Sequence, residues 1–231
     1  LIEGGKGIAV SSGQSSGAWA KAGGIGTFSG VNADSYDKEG NIVPQVYREK
    51  TRSLRHQELV DFSVSGAVEQ AEIARDIAGK NAAIHVNILW EMGAAETILK
   101  KTLDKAKGLI DGVTGGAGMP YKLSENAANY KDYYYKIVYS PRAFKALLKM
   151  TYRQTSEILV WVVYEDPWLA GGHNVLSNNE NPLDPQPPYP RVKELRELMN
   201  SFDLEKVPII MAGGVWNLNE WEDWIDNKEL G

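Results

Sequence analysis

Apolar residues recur along the chain in two alternating periods. Residues 63–78 place Val64, Ala67, Val68, Ala71, Ala74, Ile77 and Ala78 at helical spacing. Residues 83–89, Ala-Ile-His-Val-Asn-Ile-Leu, read as a strand, and 94–106 are helical again through Ile98, Leu99, Thr102 and Leu103. A short strand over 109–113 opens into Thr114-Gly-Gly-Ala-Gly118, and 133–139 form another strand. Ser140-Pro141 supplies an N-cap and a first-turn proline to a helix that uses Phe144, Leu147, Leu148, Thr151 and Tyr152. The β-branched run 158–163 is a strand ending near Tyr164. A helix over 191–202, a strand over 207–211 and a Trp-rich helix over 218–226 follow. Before all of these come a strand end at Leu1-Ile2, a helix over 16–22 and a strand over 25–29.

Two connections stand apart. Residues 31–55 are polar and too long for an ordinary βα loop, which marks a functional or surface insertion. Residues 174–190 hold five prolines and are expected to be extended. About seven strands recur every ~25–35 residues, each followed by a helix or loop, the rhythm of parallel β/α units. Gly, Asn and His residues cluster at the C-terminal end of nearly every strand. That favours a TIM-type (β/α)8 barrel, about seven of eight units, over a doubly wound sheet. The expectation is one α/β domain over 1–231.

Composition narrows the function classes. The net charge of −5 and the lack of any long Lys/Arg block argue against a nucleic-acid partner. With no cysteine, disulfides, zinc–thiolate sites and a Cys nucleophile are excluded. No apolar run approaches the ~20 residues of a membrane span and no secretory signal is seen. A cytoplasmic protein acting on a small molecule, with no membrane or metal, is the expectation.

The candidate chemistry centres on 164–173, Tyr-Glu-Asp-Pro-Trp-Leu-Ala-Gly-Gly-His. A strand ends in acidic residues, and a glycine pair then delivers His173, an acid/base group at a strand's C-terminal end. Asn87, near the end of its strand, can hydrogen-bond a ligand ring. His85 shares its face and reads as a structural residue. Gly213-Gly214 follows a strand and precedes a helix, so it is either a phosphate turn or a tight strand-to-helix turn. Gly4-Gly5-Lys6-Gly7 and Gly115-Gly116-Ala117-Gly118 also lie at strand ends, and neither fits a Walker A pattern. Trp90 and Trp168 are candidate pocket walls. Charge runs such as 193–197 read as solvated helix faces.

These motifs, in this order, carry a resemblance. Gly4-Gly5, Gly23-Gly-Ile-Gly26, Val86-Asn87, Gly116-Ala-Gly-Met-Pro120, Ala170-Gly-Gly-His173 and Ala212-Gly-Gly214 span the whole chain. Together they resemble the nitronate monooxygenase (2-nitropropane dioxygenase-like) family of flavin-dependent barrel enzymes. More distantly they resemble the flavin-dependent enoyl-acyl-carrier-protein reductases. The resemblance implies an FMN cofactor, with Gly4 and Gly5 bordering the isoalloxazine and Asn87 hydrogen-bonding it. It implies Gly171, Gly172, Gly213 and Gly214 around the phosphate, Gly116 at the same mouth, and His173 handling a substrate proton. The implied reaction is oxidation of a nitronate or nitroalkane by O₂. The alternatives are an NAD(P)H-dependent enoyl-thioester reductase and a non-catalytic flavin- or phosphate-binding barrel. Lys6 stands where relatives have Met, and Pro167 and Leu169 replace a Gly and an acidic residue of the motif. Relatives also continue into an eighth strand and begin slightly before Leu1, so the chain is expected to lack those parts and to bind FMN weakly by itself.

Overall fold

Helix and strand alternate along the chain. The computed structural model describes residues 1–116, 121–130, 133–138, 141–155, 159–170, 176, 180–214, 217, 219–225, 227 and 230. The order is α1 (Gly13–Lys21), β1 (Ile25–Ser29), α2 (Arg52–Ala78), β2 (Ala83–Leu89), α3 (Ala95–Lys105) and β3 (Gly112–Gly116). There follow α4 (Leu123–Asn129), β4 (Tyr133–Val138), α5 (Pro141–Thr155), β5 (Leu159–Glu165), α6 (Tyr189–Asn200) and β6 (Ile209–Ala212). A 3-10 helix over Asn219–Trp224 closes the series. The chain divides into two compact units, Leu1–Gly118 with Asn126–Tyr133, and Met119–Glu125 with Tyr134–Gly231.

In the first unit β1, β2 and β3 pair in parallel and in sequence order. Ile2 adds a parallel bridge to Ile25, so the strand end expected at Leu1-Ile2 is present on the outer edge of β1. The three strands are buried on both faces, as parallel strands covered by crossover helices must be. Their register puts Phe28, Ile84, Val86, Ile88 and Val113 on one side, where α1 and α2 cover them. The buried face of α1 is Gly13, Ser16, Gly17 and Ala20. These small residues bring its backbone against both neighbours. A Cβ on Gly26 would overlap the Ser16 carbonyl, and one on Gly17 would lie 2.7 Å from Ile77 Cβ.

Two polar side chains, buried Gln70 and half-buried Arg75, fasten this unit. Gln70 accepts from Gly13 N–H and donates to Asp34 O, both at 2.6 Å. Arg75, in the last turn of α2, donates to Ala82 O at 2.7 Å, to Leu109 O at 2.7 Å and to the Asp111 carboxylate at 2.6 Å. Asp111 in turn accepts from Ile84 N–H at 2.8 Å. The guanidinium fork thereby joins the end of α2 to the starts of β2 and β3.

In the second unit β4, β5 and β6 are again parallel and sequential. Phe144, Leu147 and Leu148 of α5, Leu159, Val162 and Tyr164 of β5, and Val192, Leu195 and Met199 of α6 are buried. Arg196 is buried with them, the exception in the 193–197 run, whose Lys193, Glu194 and Glu197 are exposed as expected. Its guanidinium donates to the carbonyls of Leu204, Glu205, Val207 and Leu230, and burial lowers its pKa. Periodicity reads a charged residue as outward, but four converging carbonyls supply the satisfaction that water otherwise gives.

Several boundaries differ from the sequence reading. Helix α2 begins at Arg52, where Thr51 caps Leu54 N–H, rather than at residue 63. Its first turns are largely exposed and so carry no apolar stripe. Strand β3 runs through Gly115 and Gly116, which pair with Ile88 and Leu89 instead of opening a loop. The helix expected over 218–226 is the short 3-10 segment, and α4 has no counterpart in the pattern. The long 31–55 connection folds locally. Asp37 accepts from Glu39 and Asn41 N–H groups under an antiparallel Tyr36–Ile42 bridge, and those bonds hold its carboxyl below the usual range.

The close packing of α2 generates a stability prediction. A Cβ on Gly66 would overlap the Ala33 carbonyl. Gly66→Ala should cost about 1–3 kcal/mol, the usual cost of overpacking, whereas the exposed neighbour Ser65→Ala should stay within about 0.5 kcal/mol. Urea unfolding of both variants checks this, and equal midpoints would contradict it.

Candidate functional site

Opposite the apolar side of the first unit lies a buried polar one. The register that aligns Thr27 with His85 and Gly112, and Ser29 with Asn87 and Thr114, puts all six on one face. Glu3 closes its edge, accepting from Thr27 N–H at 3.0 Å and from the Ser15 hydroxyl at 2.8 Å. At the C-terminal end of β2, Asn87 donates through Nδ2 to Gly5 O at 3.0 Å. Gly5 sits so close that a Cβ there would overlap the Asn87 Cβ and lie 2.8 Å from its Cγ and 3.0 Å from Thr27 Cγ2. With its amide N–H committed inward, Asn87 keeps Oδ1 without a partner, as Thr27 does Oγ1. Asn87 is only 7 % exposed, so water does not supply the missing bond freely. A Cβ on Gly4, the residue before Gly5, would meet nothing within 4 Å.

His85 is 1 % exposed, and desolvation pushes its pKa down to about 3. A Cβ on Gly112 would lie 2.6 Å from His85 Nε2, so that glycine makes room for the ring. This neutral, enclosed imidazole fits the structural reading.

In the second unit the C-terminal ends of β5 and β6 lock together. Asp166 N–H donates to Ala212 O at 2.9 Å, one residue beyond the β5–β6 ladder. The Asp166 Oδ1 atom accepts from Trp168 and Leu169 N–H at 2.9 and 3.0 Å, and Ala170 N–H returns to Asp166 O at 2.9 Å. This tight turn packs Ala170 and Leu169 on Gly213 and Gly214. Both glycines have positive φ, +92° and +70°, and Cβ atoms there would lie 3.0 Å from Ala170 N and 2.9 Å from Leu169 Cδ1. Glycine is required on both counts. Arg191 covers the Trp168 ring at 4.6 Å and pairs with Glu180, while Trp168 Nε1 donates to Asn181 O at 3.2 Å.

The residues singled out from sequence therefore fall into distinct groups. Gly5 and Asn87 meet, with Gly4 beside them. Gly116 ends β3 opposite Leu89, buried, with its carbonyl taking Trp90 N–H at 3.4 Å. Gly213 and Gly214 meet the start of the Ala170-Gly-Gly-His segment, whereas Gly171, Gly172 and His173 lie outside the described residues. Trp90 and Trp168 are half-buried. Among the described residues, the helical segment after Gly214 is the six-residue 3-10 helix Asn219–Trp224. Sequence reasoning passed over Glu3 and Thr27, and it gave Tyr164 and Asp166 no role beyond their place in the 164–173 segment. Thr27 was legible as the residue that alternation aligns with His85, and Asp166 as the next position on the Tyr164 face. Among the described residues no cluster of three His, Asp or Glu could hold a metal, and no helix is long and apolar enough to cross a membrane.

No family model and no curated protein matches this chain. Solved structures do match in fold. An M276A mutant of FabK from Thermotoga maritima superposes with a TM-score of 0.61 at 16% identity, over 94% of this chain and 54% of that one. FabK from the same organism gives 0.55 at 16% identity, over 91% and 57%. Nitroalkane oxidase from Streptomyces ansochromogenes gives 0.59 at 15% identity, over 95% and 59%. The chain thus spans between half and three fifths of the length of these proteins, and what it shares with them is their fold.

The environment of His85 fixes a pH dependence. Its pKa is about 6.5 unfolded and about 3 folded, so between these values the unfolded chain binds the extra proton. Stability held above pH 6.5 should fall as pH drops toward 3, by up to about 1.4 kcal/mol per pH unit. Unfolding free energies of wild type and His85→Gln across that window check this. Curves that run parallel would show that folded His85 takes up the proton.

Proposed function

We propose that the chain is a flavin-dependent oxidoreductase built on a (β/α)8-type barrel, using FMN to oxidise alkyl nitronates or nitroalkanes with O₂. The observation that carries the reading is the buried, unpartnered Asn87 Oδ1 at the C-terminal end of β2, next to Gly5. A ring N–H of an isoalloxazine is the kind of donor such an acceptor lacks. The likeness in fold to a nitroalkane oxidase and to FabK supports the same reading, as does the sequence resemblance.

FMN, when bound, supplies the two-electron redox chemistry and the reaction with O₂. The residues of the chain then bind, orient and move protons. Gly4, Gly5 and Asn87 would hold the ring edge, with Gly116 at the neighbouring strand end. Gly213 and Gly214, with Gly171 and Gly172, would offer backbone N–H groups to the phosphate. In the sequence His173 follows the strand that ends near Tyr164, whereas His85 is buried in β2 and His56 is exposed on α2. A neutral imidazole near pH 7 takes the proton from a nitroalkane carbon, and once charged it steadies the anionic nitronate.

The protein supplied with FMN should bind it, with a change in flavin absorbance, and consume O₂ with a nitroalkane. Colourless protein that no added flavin restores would remove the reading. Consumption of NAD(P)H with an enoyl thioester, and none of O₂ with nitronate, would transfer it to the reductase class. His173→Ala should retain flavin and lose roughly 10²–10⁴-fold turnover with a neutral nitroalkane. A preformed nitronate, already deprotonated, should suffer less. Equal losses on both substrates would leave His173 with no proton-abstracting role.

A further inference from the structure

The connection between β1 and α2 leaves an exposed stripe along the first unit. Residues 41–57 are exposed at every position except Val43. Two carboxylates of α2 fix the path of this stretch. Tyr36 N–H donates to Glu69 at 3.0 and 3.1 Å, whereas Arg48 N–H donates to Glu58 at 3.1 Å and Glu49 N–H to the same group at 3.3 Å. The chain therefore runs antiparallel to α2 for about three turns, or roughly 16 Å. Side-chain character changes along that path. The turn Asp37-Lys38-Glu39 at one end is net acidic. Ile42, Val46 and Tyr47 follow, and Leu54 lies beyond them on α2; all four are 49–58 % exposed. Arg48, Lys50, Arg52 and Arg55 make the other end basic, and among the described residues none of them is in an ion pair. The nearest carboxylates of α2 are already engaged, Glu58 by the two amides and Asp61 by Lys101 at 3.1 Å. A cavity of about 390 Å³ opens between this stretch and Phe62 of α2.

A contiguous exposed apolar stripe marks an interaction surface, and here the order of charges selects the partner. A uniformly anionic surface, lipid or nucleic acid, attracts the basic end and is repelled by the acidic one. A second copy, turned about a twofold axis through the middle of the stripe, matches it throughout. Each acidic turn then faces a basic helix start, and apolar residues face apolar residues. The area also fits. Four large half-exposed residues present roughly 400 Å² per copy, close to the apolar half of the ~800 Å² that each partner buries in a stable interface. We propose that the chain forms a homodimer through this stripe, with residues 37–55 of the two copies lying antiparallel. The cavity beside Phe62 gives room for an apolar side chain of the second copy. The inference does not depend on the flavin reading.

Sedimentation velocity of the full chain between about 1 and 100 µM tests this, and wild type should pass from monomer to dimer or stay dimeric across that range. Val46→Ser combined with Tyr47→Ser should raise the dimer Kd about tenfold or more with an unchanged circular dichroism spectrum, because both side chains are exposed. Glu39→Arg, and separately Arg52→Glu with Arg55→Glu, each set like charges together and should weaken the homodimer about tenfold or more. Glutamate is well tolerated at a helix start, so the second variant should keep its fold. Mixed in equal amounts, the two charge variants should pair with each other about as tightly as wild type, since every contact then joins opposite charges. A wild type that stays monomeric at the highest concentration overturns the proposal. A dimer that the serine variant leaves intact also overturns it, by placing the interface elsewhere. Charge variants that fail to recover on mixing would remove the antiparallel arrangement and the proposal with it. A monomer that instead sediments with phosphatidylglycerol-containing vesicles, and not with pure phosphatidylcholine ones, would overturn it in favour of a lipid surface.

Discussion

The constraint on which the first unit depends is that its parallel strands are buried on both faces while only one face is apolar. Phe28, Ile84, Val86, Ile88 and Val113 meet the helices. Thr27, Ser29, His85, Asn87 and Thr114 occupy the reverse with no bulk water to satisfy them. A polar group in such a place must be bonded, made neutral, or held for something that arrives later. All three outcomes occur. Glu3 bonds the Thr27 amide, His85 stays neutral, and Asn87 retains a free acceptor.

The same division sorts the buried polar groups elsewhere. Gln70 and Arg196 are engaged by backbone groups that only the folded chain brings together. They fix the architecture and leave nothing for a ligand. Asp166 is intermediate, with one oxygen spent on its own turn and the other idle. A structural residue and a recognition residue therefore differ here less in type or depth than in how many of their bonding positions the fold consumes.

Much of the fold was legible because most strands and helices show their periods plainly. Ala-Ile-His-Val-Asn-Ile-Leu could be little but a buried strand, and it spans Ala83–Leu89. The failures share a cause. The start of α2 is capped by Thr51 and largely exposed, so no apolar stripe announces it. Gly115 and Gly116 read as a turn because glycine usually punctuates, yet here they continue β3. Arg196 reads as surface because the carbonyls that bury it come from residues 204–207 and 230. At the candidate site, alternation could pair His85 with Asn87. It could not reveal that Gly5, far away in sequence, takes the amide N–H of Asn87 and leaves the oxygen free. Single side chains are legible locally, but their residual bonding capacity is a property of the assembled fold.

The Gly5–Asn87 contact also bears on how this chain can vary. The glycine leaves no room for a Cβ because the asparagine fills that space, and the asparagine is oriented because the Gly5 carbonyl claims its amide. Neither position can enlarge alone. A descendant with any side chain at 5 would need a smaller residue at 87, and would surrender the fixed acceptor in the same step. Among related chains these two positions, more than eighty residues apart, should drift together or not at all.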